Sequence, residues 1–209
     1  MLIKKGAEAN LYVEDWYGLT VVKKARIRKA YRLRQIDYEI RRSRTVHEAQ
    51  LLHDAKRAGV PTPMIYFIDV NRAFIVMEYV EGSRVKELLN TLPRTPRRRL
   101  CREIGGLIGK LHRRGIIHGD LTTSNMIQGT RERVFFIDFG LAEYSMEVEK
   151  RGVDLHLMKR ALDSTHYAHA AECFNSIMDG YSLEVGRTTC TDVVTRVKAI
   201  AKRGRYSVK

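Results

Sequence analysis

Cysteine and long apolar runs are scarce in this 209-residue sequence, and their scarcity excludes several classes of protein. Cys101, Cys173 and Cys190 lie far apart, with no CxxC pair and no histidine at metal-ligand spacing, so neither a disulfide scaffold nor a zinc site is expected. No window reaches the roughly eighteen apolar residues of a membrane span, and lysines soon interrupt the apolar start of MLIKKGAEAN. The chain is therefore expected to be cytoplasmic, with reduced thiols, and neither secreted nor membrane-spanning.

Acidic residues are few compared with basic ones. The 24 Asp and Glu residues stand against 38 Lys and Arg, which gives a net charge of +14 and a pI near 9.9. Ten basic residues lie between Lys23 and Arg44 against only Asp37 and Glu39, and the final stretch RVKAIAKRGRYSVK has no acid. Such an excess attracts polyanions through counterion release. Nucleic acid is the first partner to consider, although a generally basic surface explains the charge equally well.

Internal repeats and low-complexity linkers are absent, and the apolar pattern changes once, near residue 81. Before that point, LYV and LTVV predict two strands joined near residues 15–18, and MIYFIDV and AFIVMEYV predict a hairpin. A long helix is predicted between them, from Asp37 to Ala58. Residues 1–80 are therefore expected to form a small sheet with one helix.

The pattern after residue 81 is mostly helical. RVKELLNTL and RRRLCREIGGLIGKLHRRG predict two helices, the second with one apolar face. Two short strands follow, NMIQG and RVFFIDFG, joined by the polar TRE. Helix is predicted again from Val153 to about Met178 and from Asp192 to Lys202. The whole chain is thus expected to have an α+β fold.

Two motifs in the second part carry phosphoryl-transfer chemistry when they occur together. Asp138 of IDFG ends a strand, where a carboxylate can bind Mg²⁺ that bridges nucleotide phosphates. HGDLTTSN offers Asp120 to orient a nucleophilic hydroxyl or water, and Asn125 as a second metal ligand. DFG alone recurs by chance, but the order and spacing of both motifs, with a hairpin between them, indicate phosphoryl transfer from ATP. His118 is interpreted as a packing residue.

A lysine and a glutamate in the first part complete the candidate set. Alternate side chains of a strand share a face, so Val22 and Lys24 of TVVKKARI point one way and Lys23 points the other. Lys24 is preferred as the phosphate-binding lysine because it shares a face with Val22, which would cover the adenine. Glu48 lies on the predicted long helix and is a candidate partner for that lysine. Surface exposure is the alternative for the lysines and for Glu48.

Eight stretches occur in the order found in one known family: GAEANLY, KKARIRKAYR, RTVHEAQLL, VMEYVEG, HGDLTTSN, IDFGLAEY, VDLHLMKRAL and STH. By these stretches the chain resembles the small atypical kinases of the PRPK type, the kinase subunit of the KEOPS complex, from about Gly6 to Tyr206. The resemblance implies a reduced two-lobed protein-kinase fold, with an N-lobe at 1–80 and a truncated C-lobe at 81–209 that lacks a full activation segment. It implies these catalytic and metal-binding residues: Lys24, Glu48, Asp120, Asn125 and Asp138. It places the adenine along four residues between the lobes: Met77, Glu78, Tyr79 and Val80.

The resemblance also implies an activity and partners. The expected enzyme is an Mg-ATP-dependent Ser/Thr kinase with ATPase activity, in a complex that installs threonylcarbamoyl on an adenosine of tRNA. The expected partners are the threonylcarbamoyl-transferring subunit, a small subunit that contacts the N-lobe, and tRNA. The tRNA would be held by the basic C-terminal tail and the basic N-lobe segment, and no membrane partner is expected.

Three departures from an ordinary protein kinase carry mechanistic meaning. Gly119 stands where such kinases have an arginine that pairs with a phosphorylated activation segment, so control by that phosphorylation is not expected. Only a few residues separate Gly140 from Asp154, and they contain no APE triad, so a platform for a peptide substrate is nearly absent. KGAEAN has one glycine where the usual phosphate loop has three, so phosphate binding should depend on Lys24, Mg²⁺ and Glu8.

Three alternatives stay open. A RIO-type kinase of ribosome assembly shares the two-lobed fold. A small-molecule phosphotransferase of the aminoglycoside or choline type uses a similar HGD loop, but it encloses its alcohol with helices for which this chain is too short. A kinase-fold RNA-binding scaffold with a vestigial site is the non-enzymatic alternative.

Overall fold

Five antiparallel strands form a twisted sheet in the first part of the chain. The computed structural model describes the backbone of residues 1–206 and the side chains through residue 203. The strands of this sheet are β1 (Leu2–Lys5), β2 (Ala9–Trp16), β3 (Leu19–Arg26), β4 (Ile65–Asp69) and β5 (Phe74–Glu78). Their order is β1-β2-β3-β5-β4, so β3 lies at the centre. The strand pair predicted around residues 15–18 and the predicted hairpin are confirmed, whereas β1 was not predicted.

A single long helix, α1 (Arg34–Arg57), packs against this sheet. It begins before the predicted Asp37, because the backbone N–H of Asp37 already bonds the carbonyl of Leu33 at 2.9 Å. One side of α1 contributes Ala49 to a small cluster with buried residues of β5. Its later turns contribute Leu51 and Leu52 to the large core of the second part. The helix therefore joins both parts of the chain.

The second part is mainly helical, which confirms the predicted α+β class. Its helices are α2 (Val85–Leu88), α3 (Arg94–Arg113), α4 (Val148–Thr165), α5 (Ala170–Val185) and α6 (Arg187–Tyr206). Its strands are β6 (Gly82–Arg84), β7 (Ile116–Ile117), β8 (Met126–Gly129), β9 (Val134–Phe136) and β10 (Glu143–Tyr144). The predicted strands around NMIQG and RVFFIDFG are β8 and β9, an antiparallel pair. The predicted division near residue 81 falls between β5 and β6 and stays a prediction.

The helix predicted from Val153 to about Met178 is wrong, because the chain breaks between α4 and α5 at residues 166–169. His166 ends α4 and turns inward: its Nδ1 is hydrogen-bonded to Asn90 Oδ1 at 2.8 Å and its Nε2 to Thr123 Oγ1 at 3.0 Å. No glycine or proline marks this break. It depends on contacts with distant residues, which a local pattern does not contain.

The ends of two other helices also differ from prediction. Helix α2 covers four residues instead of continuing towards Pro93. Helix α6 begins at Arg187, before the predicted Asp192, and extends past the predicted Lys202. Residues 207–209 of the predicted basic tail lie outside the described residues. Within residues 1–206, no helix combines the length and apolar character that a transmembrane span requires.

Helices α3 and α5 approach each other closely at the centre of the second part. A Cβ at Gly105 would collide with the carbonyl oxygen of Ile177, and a Cβ at Gly180 would collide with the carbonyl oxygen of Arg102. The two helices thus pack backbone against backbone. Around this contact lie fully buried side chains such as Ile104, Ile108 and Tyr181, which form part of the large core.

We expect Gly105→Ala and Gly106→Ala to have opposite effects on stability. At Gly106 the nearest atom to an added Cβ is 3.9 Å away, so the methyl group fits and alanine favours the helix. Gly105→Ala should lower the free energy of unfolding by about 1–3 kcal/mol through overpacking. Gly106→Ala should raise it by up to about 1 kcal/mol. Urea denaturation measures both, and equal effects would contradict the close helix contact.

Candidate active site

Lys24 lies on β3 with its side chain turned into the protein. Its Nζ donates to Glu48 Oε1 at 2.5 Å and to Asp138 Oδ1 at 2.8 Å. Lys23 points to the other side of the sheet, 3.6 Å from Glu14 and over the ring of Phe74. The structure therefore brings the predicted Lys24, Glu48 and Asp138 into direct contact, and it leaves Lys23 outside.

Opposite charges control the ionisation of this cluster. Burial by itself lowers the pKa of Lys24, but the Glu48 and Asp138 carboxylates outweigh burial and raise that pKa above its ordinary value. Burial likewise raises the pKa of Asp138, and the neighbouring Lys24 ammonium reverses this effect and lowers it below the usual range. Both groups are thus charged at neutral pH.

Asp138 and Asn125 each leave one oxygen for a cation. Asp138 lies two residues after β9, and its Oδ1 accepts from both Lys24 Nζ and the backbone N–H of Gly140. Among the described hydrogen bonds, its Oδ2 is not used. Asn125 donates through Nδ2 to the Asp120 carboxylate at 2.8 Å, which leaves its amide oxygen as the possible ligand. Mg²⁺ commonly uses one or two such oxygens together with phosphate oxygens, so this pair fits it.

Asp120 lies on a loop that its neighbours hold in place. Asn125 Nδ2 contacts both the backbone carbonyl and the side chain of Asp120. His118 is fully buried and packs against the rings of Phe136 and Phe139. Burial lowers the pKa of His118, so its ring is neutral at pH 7. This agrees with a packing residue, as predicted, and Asp120 is the group of the loop that faces the cleft.

Asp154, on α4, anchors the backbone of the same loop from behind. Its Oδ2 accepts from the backbone N–H of His118 at 2.8 Å, and its Oδ1 accepts from that of Gly119 at 2.9 Å. His112 Nε2 lies 3.2 Å from Oδ2, and its Nδ1 is hydrogen-bonded to Tyr181. Asp154 supports the site although no local sequence pattern marks it, since a carboxylate on a helix is usually a surface charge.

Gly119 has a structural reason to be glycine. Its φ is +78°, in the left-handed region, and a Cβ there would collide with the carbonyl oxygen of Leu141. Leu141 belongs to the short segment that follows Asp138. That segment therefore lies directly against the loop. It occupies the space that the first atoms of an arginine side chain at position 119 would need.

The segment after Asp138 is short and is tied to α1. Residues 143–144 form β10, which pairs with β7, and α4 begins at Val148. The ring of His47 is hydrogen-bonded through Nε2 to the carbonyl of Ala142 at 3.2 Å, and the Tyr144 hydroxyl donates to Asp54 at 2.5 Å. The observed segment agrees with the predicted lack of a full activation segment.

Two adjoining cavities surround the cluster. The first, of about 200 Å³, is lined by these predicted site residues: Val22, Lys24, Met77, Glu78, Tyr79, Val80, Asn125 and Asp138. Leu11, Ile127 and Ile137 give it apolar walls. The second, of about 280 Å³, is lined by Asp120, Glu8 and Gly140 and shares Lys24 and Asp138 with the first. Glu48 lies behind Lys24, at 1% exposure.

Arg26 is a further residue of the cluster that sequence reasoning missed. Its Nη2 donates to Glu48 Oε2 at 2.7 Å, so one carboxylate is shared between Lys24 and Arg26. The signal was present in the sequence. Arg26 is two positions after Lys24 in a strand and must share its face.

The fold and this cluster together define a class of protein. The first part of the chain is a five-stranded sheet with one helix, and the second part is mainly helical. A buried Lys–Glu pair contacts a carboxylate that follows the end of a strand. This arrangement is that of a kinase-like phosphotransferase.

Comparisons with known proteins agree with that class. The profile of the lipopolysaccharide kinase (Kdo/WaaP) family matches residues 6–181. The chain is 47% identical to KEOPS complex subunit Bud32 of Pyrococcus abyssi, over 98% of this chain and 96% of that protein. The Rio2 kinase of Chaetomium thermophilum shares the fold, with a TM-score of 0.64 over 95% of this chain and 71% of that one, at 15% identity.

Longer relatives contain a region similar to this chain as one part. A probable bifunctional tRNA threonylcarbamoyladenosine biosynthesis protein of Methanothermobacter thermautotrophicus is 44% identical over 99% of this chain, and the chain spans 36% of its length. The chain therefore belongs to the family that the kinase profile describes and, by its identity and coverage, to the same group as Bud32. This confirms the resemblance inferred from the motifs.

We expect Gly119→Ala to lower stability by more than backbone strain alone would. Its control is Gly18→Ala, which has a similar φ of +82° but open space around an added Cβ, so it measures backbone strain alone. Gly18→Ala should cost about 1 kcal/mol of unfolding free energy. Gly119→Ala should cost roughly 2–4 kcal/mol, because collision with Leu141 adds to strain. Thermal and urea unfolding measure both, and equal losses would show that the Leu141 contact carries no cost.

Proposed function

We propose that this chain is a Mg-ATP-dependent kinase and ATPase that acts in the cytoplasm as a subunit of a KEOPS-type complex, which makes threonylcarbamoyladenosine in tRNA. The observation that carries the enzymatic part is the contact of Lys24 with both Glu48 and Asp138 inside one cleft. The complex and its product are proposed from the printed names of the relatives, Bud32 above all. The nearly full-length match to Bud32 supports carrying that role over.

The cleft has separate places for the base and the phosphates of ATP. Val22, Met77 and the apolar walls of the first cavity suit a purine, with the backbone of residues 77–80 at its edge. Lys24 would bind the α- and β-phosphates while Glu48 keeps it in position. Asn125 and Asp138 would hold Mg²⁺, which when bound neutralises charge on the phosphates.

Asp120 would orient the attacking oxygen. Its carboxylate accepts from Asn125, which fixes its direction towards the second cavity. Phosphoryl transfer has a largely dissociative transition state, so positioning and charge neutralisation supply most of the rate. Lys24 and Asp120 would therefore contribute to the rate mainly through their positions in the cleft.

The acceptor is proposed to be water more readily than a peptide hydroxyl. The segment between Asp138 and α4 covers only residues 139–147 and has no APE triad, so it is too short to hold an extended peptide. In the complex we therefore propose ATP hydrolysis, and for the isolated chain serine phosphorylation of itself and other proteins.

Basic surfaces are proposed to contact tRNA, but the N-lobe segment offers less free charge than its composition suggests. Lys24 and Arg26 are buried in the cluster, and Arg41 and Arg44 pair with Asp37 and Glu8. The exposed cations of this segment include Arg28, Arg34 and Arg42, and α6 adds Lys198 and Lys202. The threonylcarbamoyl-transferring subunit and a small N-lobe-binding subunit are the proposed protein partners.

We expect Asp120→Asn to lower ATP turnover by about 100-fold or more, because it removes the base that orients the nucleophile. Asp138→Ala should abolish turnover and leave the fold intact. The control is Asp179→Asn, an exposed carboxylate on α5 outside the site. Turnover is followed with γ-labelled ATP and Mg²⁺, and folding by circular dichroism. Wild-type turnover in Asp138→Ala would remove that residue from the site.

The same label separates the two reactions. With the transferase subunit and tRNA present we expect mostly free phosphate, and for the isolated chain we expect some phosphate on serine as well. Mostly protein-bound phosphate, unaffected by these partners, would instead make protein phosphorylation the main reaction. Absence of Mg-ATP binding by calorimetry would favour the kinase-fold RNA-binding scaffold.

A further inference from the structure

Arg26 occupies a position as buried as that of Lys24. The two residues lie on β3, at 8% and 9% exposure, and point to the same side of the sheet. Between them, Ala25 faces the other way. A fully ionised guanidinium in the interior requires partners, since an unpaired buried charge is costly.

Those partners both belong to α1. Nη2 of Arg26 donates to Glu48 Oε2 at 2.7 Å and to the backbone carbonyl of Arg44 at 3.1 Å. The two acceptors lie one helical turn apart. A single guanidinium nitrogen thus ties the central strand of the sheet to two successive turns of the helix.

Glu48 is consequently held at both of its oxygens. Oε1 accepts from Lys24 and Oε2 from Arg26, and the carboxylate has only 1% exposure. A carboxylate with one partner can rotate about its last bond, whereas a carboxylate with two fixed cations cannot. The direction of Oε1, and with it the position of Lys24 Nζ, therefore depends on Arg26.

The turn of α1 that Arg26 holds is also connected to the loop of residues 6–8, which lines the second cavity. The side chain of Arg44 bonds Glu8 at 2.8 Å, and the backbone N–H of Ile27 bonds the carbonyl of Glu8 at 3.0 Å. These contacts fix the helix without any phosphorylated segment. They give a physical reason why this chain can dispense with the arginine that Gly119 replaces.

We propose that Arg26 is a positioning residue for phosphoryl transfer: it holds the second oxygen of Glu48 and the Arg44 carbonyl, and so keeps α1 and Lys24 in the working arrangement. The inference rests on the proposed function for its catalytic consequence. Its structural content, the anchoring of α1, is independent of any nucleotide.

The test combines Arg26→Gln, Arg26→Lys, Glu48→Gln and the Arg26→Gln/Glu48→Gln double variant in the full chain. Arg72→Gln is the matched control, because Arg72 is an exposed arginine in the β4–β5 turn, away from the site. Four quantities are measured: kcat and KM for ATP with Mg²⁺, affinity for a non-hydrolysable Mg-ATP analogue, and hydrogen exchange of residues 44–52. Circular dichroism and the unfolding midpoint establish the folded fraction.

We expect Arg26→Gln to lower kcat by about 100-fold, the size of effect that a misplaced catalytic group produces. Arg26→Lys should keep a loss of about tenfold, since the lysine ammonium lies one bond nearer the backbone than Nη2 and reaches only one of the two acceptors. The double variant should lose far less activity than the product of the two single losses, because most of the effect of Arg26 passes through Glu48. Hydrogen exchange of residues 44–52 should accelerate in Arg26→Gln and stay at the wild-type rate in Arg72→Gln.

Other results would overturn the proposal. If the losses in the double variant multiply, Arg26 acts independently of Glu48 and is not a positioning residue for Lys24. If Arg26→Gln folds with wild-type kcat and wild-type exchange in α1, the anchor does not exist. If Arg26→Gln does not fold, Arg26→Lys takes its place in the test, because its shorter side chain does not reach both acceptors. Wild-type kcat and wild-type exchange in Arg26→Lys would then show that the anchor does not exist. Failure of wild-type protein to bind the analogue refutes the proposed function instead, and the exchange measurement still decides the anchoring.

Discussion

The buried contact of Lys24 with Glu48 and Asp138 is the interaction on which the arrangement of this molecule depends. It joins the central strand of the sheet, the long helix α1 and the end of β9, which lie far apart along the chain. Lys24 and Glu48 are buried, and their charges can leave water only because each has an opposite partner within hydrogen-bonding distance. Separating β3 from α1 would break this buried ion pair, so the relative positions of these two elements are strongly restrained.

The loop that carries Asp120 is held by a second polar centre on its other side. Asp154 accepts from the backbone N–H groups of His118 and Gly119, and the ring of His118 is clamped by Phe136 and Phe139. Neither contact is directed at the cleft. These contacts hold the backbone next to Asp120. The position of the proposed catalytic carboxylate therefore does not depend on a separate segment.

The shortness of the segment after Asp138 links the architecture to the proposed chemistry. It is tied to β7 through β10 and to α1 through His47 and Asp54, and with only residues 139–147 it is too short to hold an extended peptide. Close packing of α3 on α5 makes the second part similarly compact. The proposed phosphate-binding cleft has no peptide platform among the described residues, which suits the proposal that water is the acceptor.

The sequence by itself determined the α+β class, most of the long elements and most of the residues that meet at the cleft. Strand alternation distinguished Lys24 from Lys23, and motif spacing found Asp120, Asn125 and Asp138, because these signals are local. Only the tertiary structure decided what supports them. His118 and Asp154 are 36 positions apart, and the break at His166 depends on Asn90 and Thr123. A local pattern states which face a residue occupies, but only folding decides which distant partner meets it there.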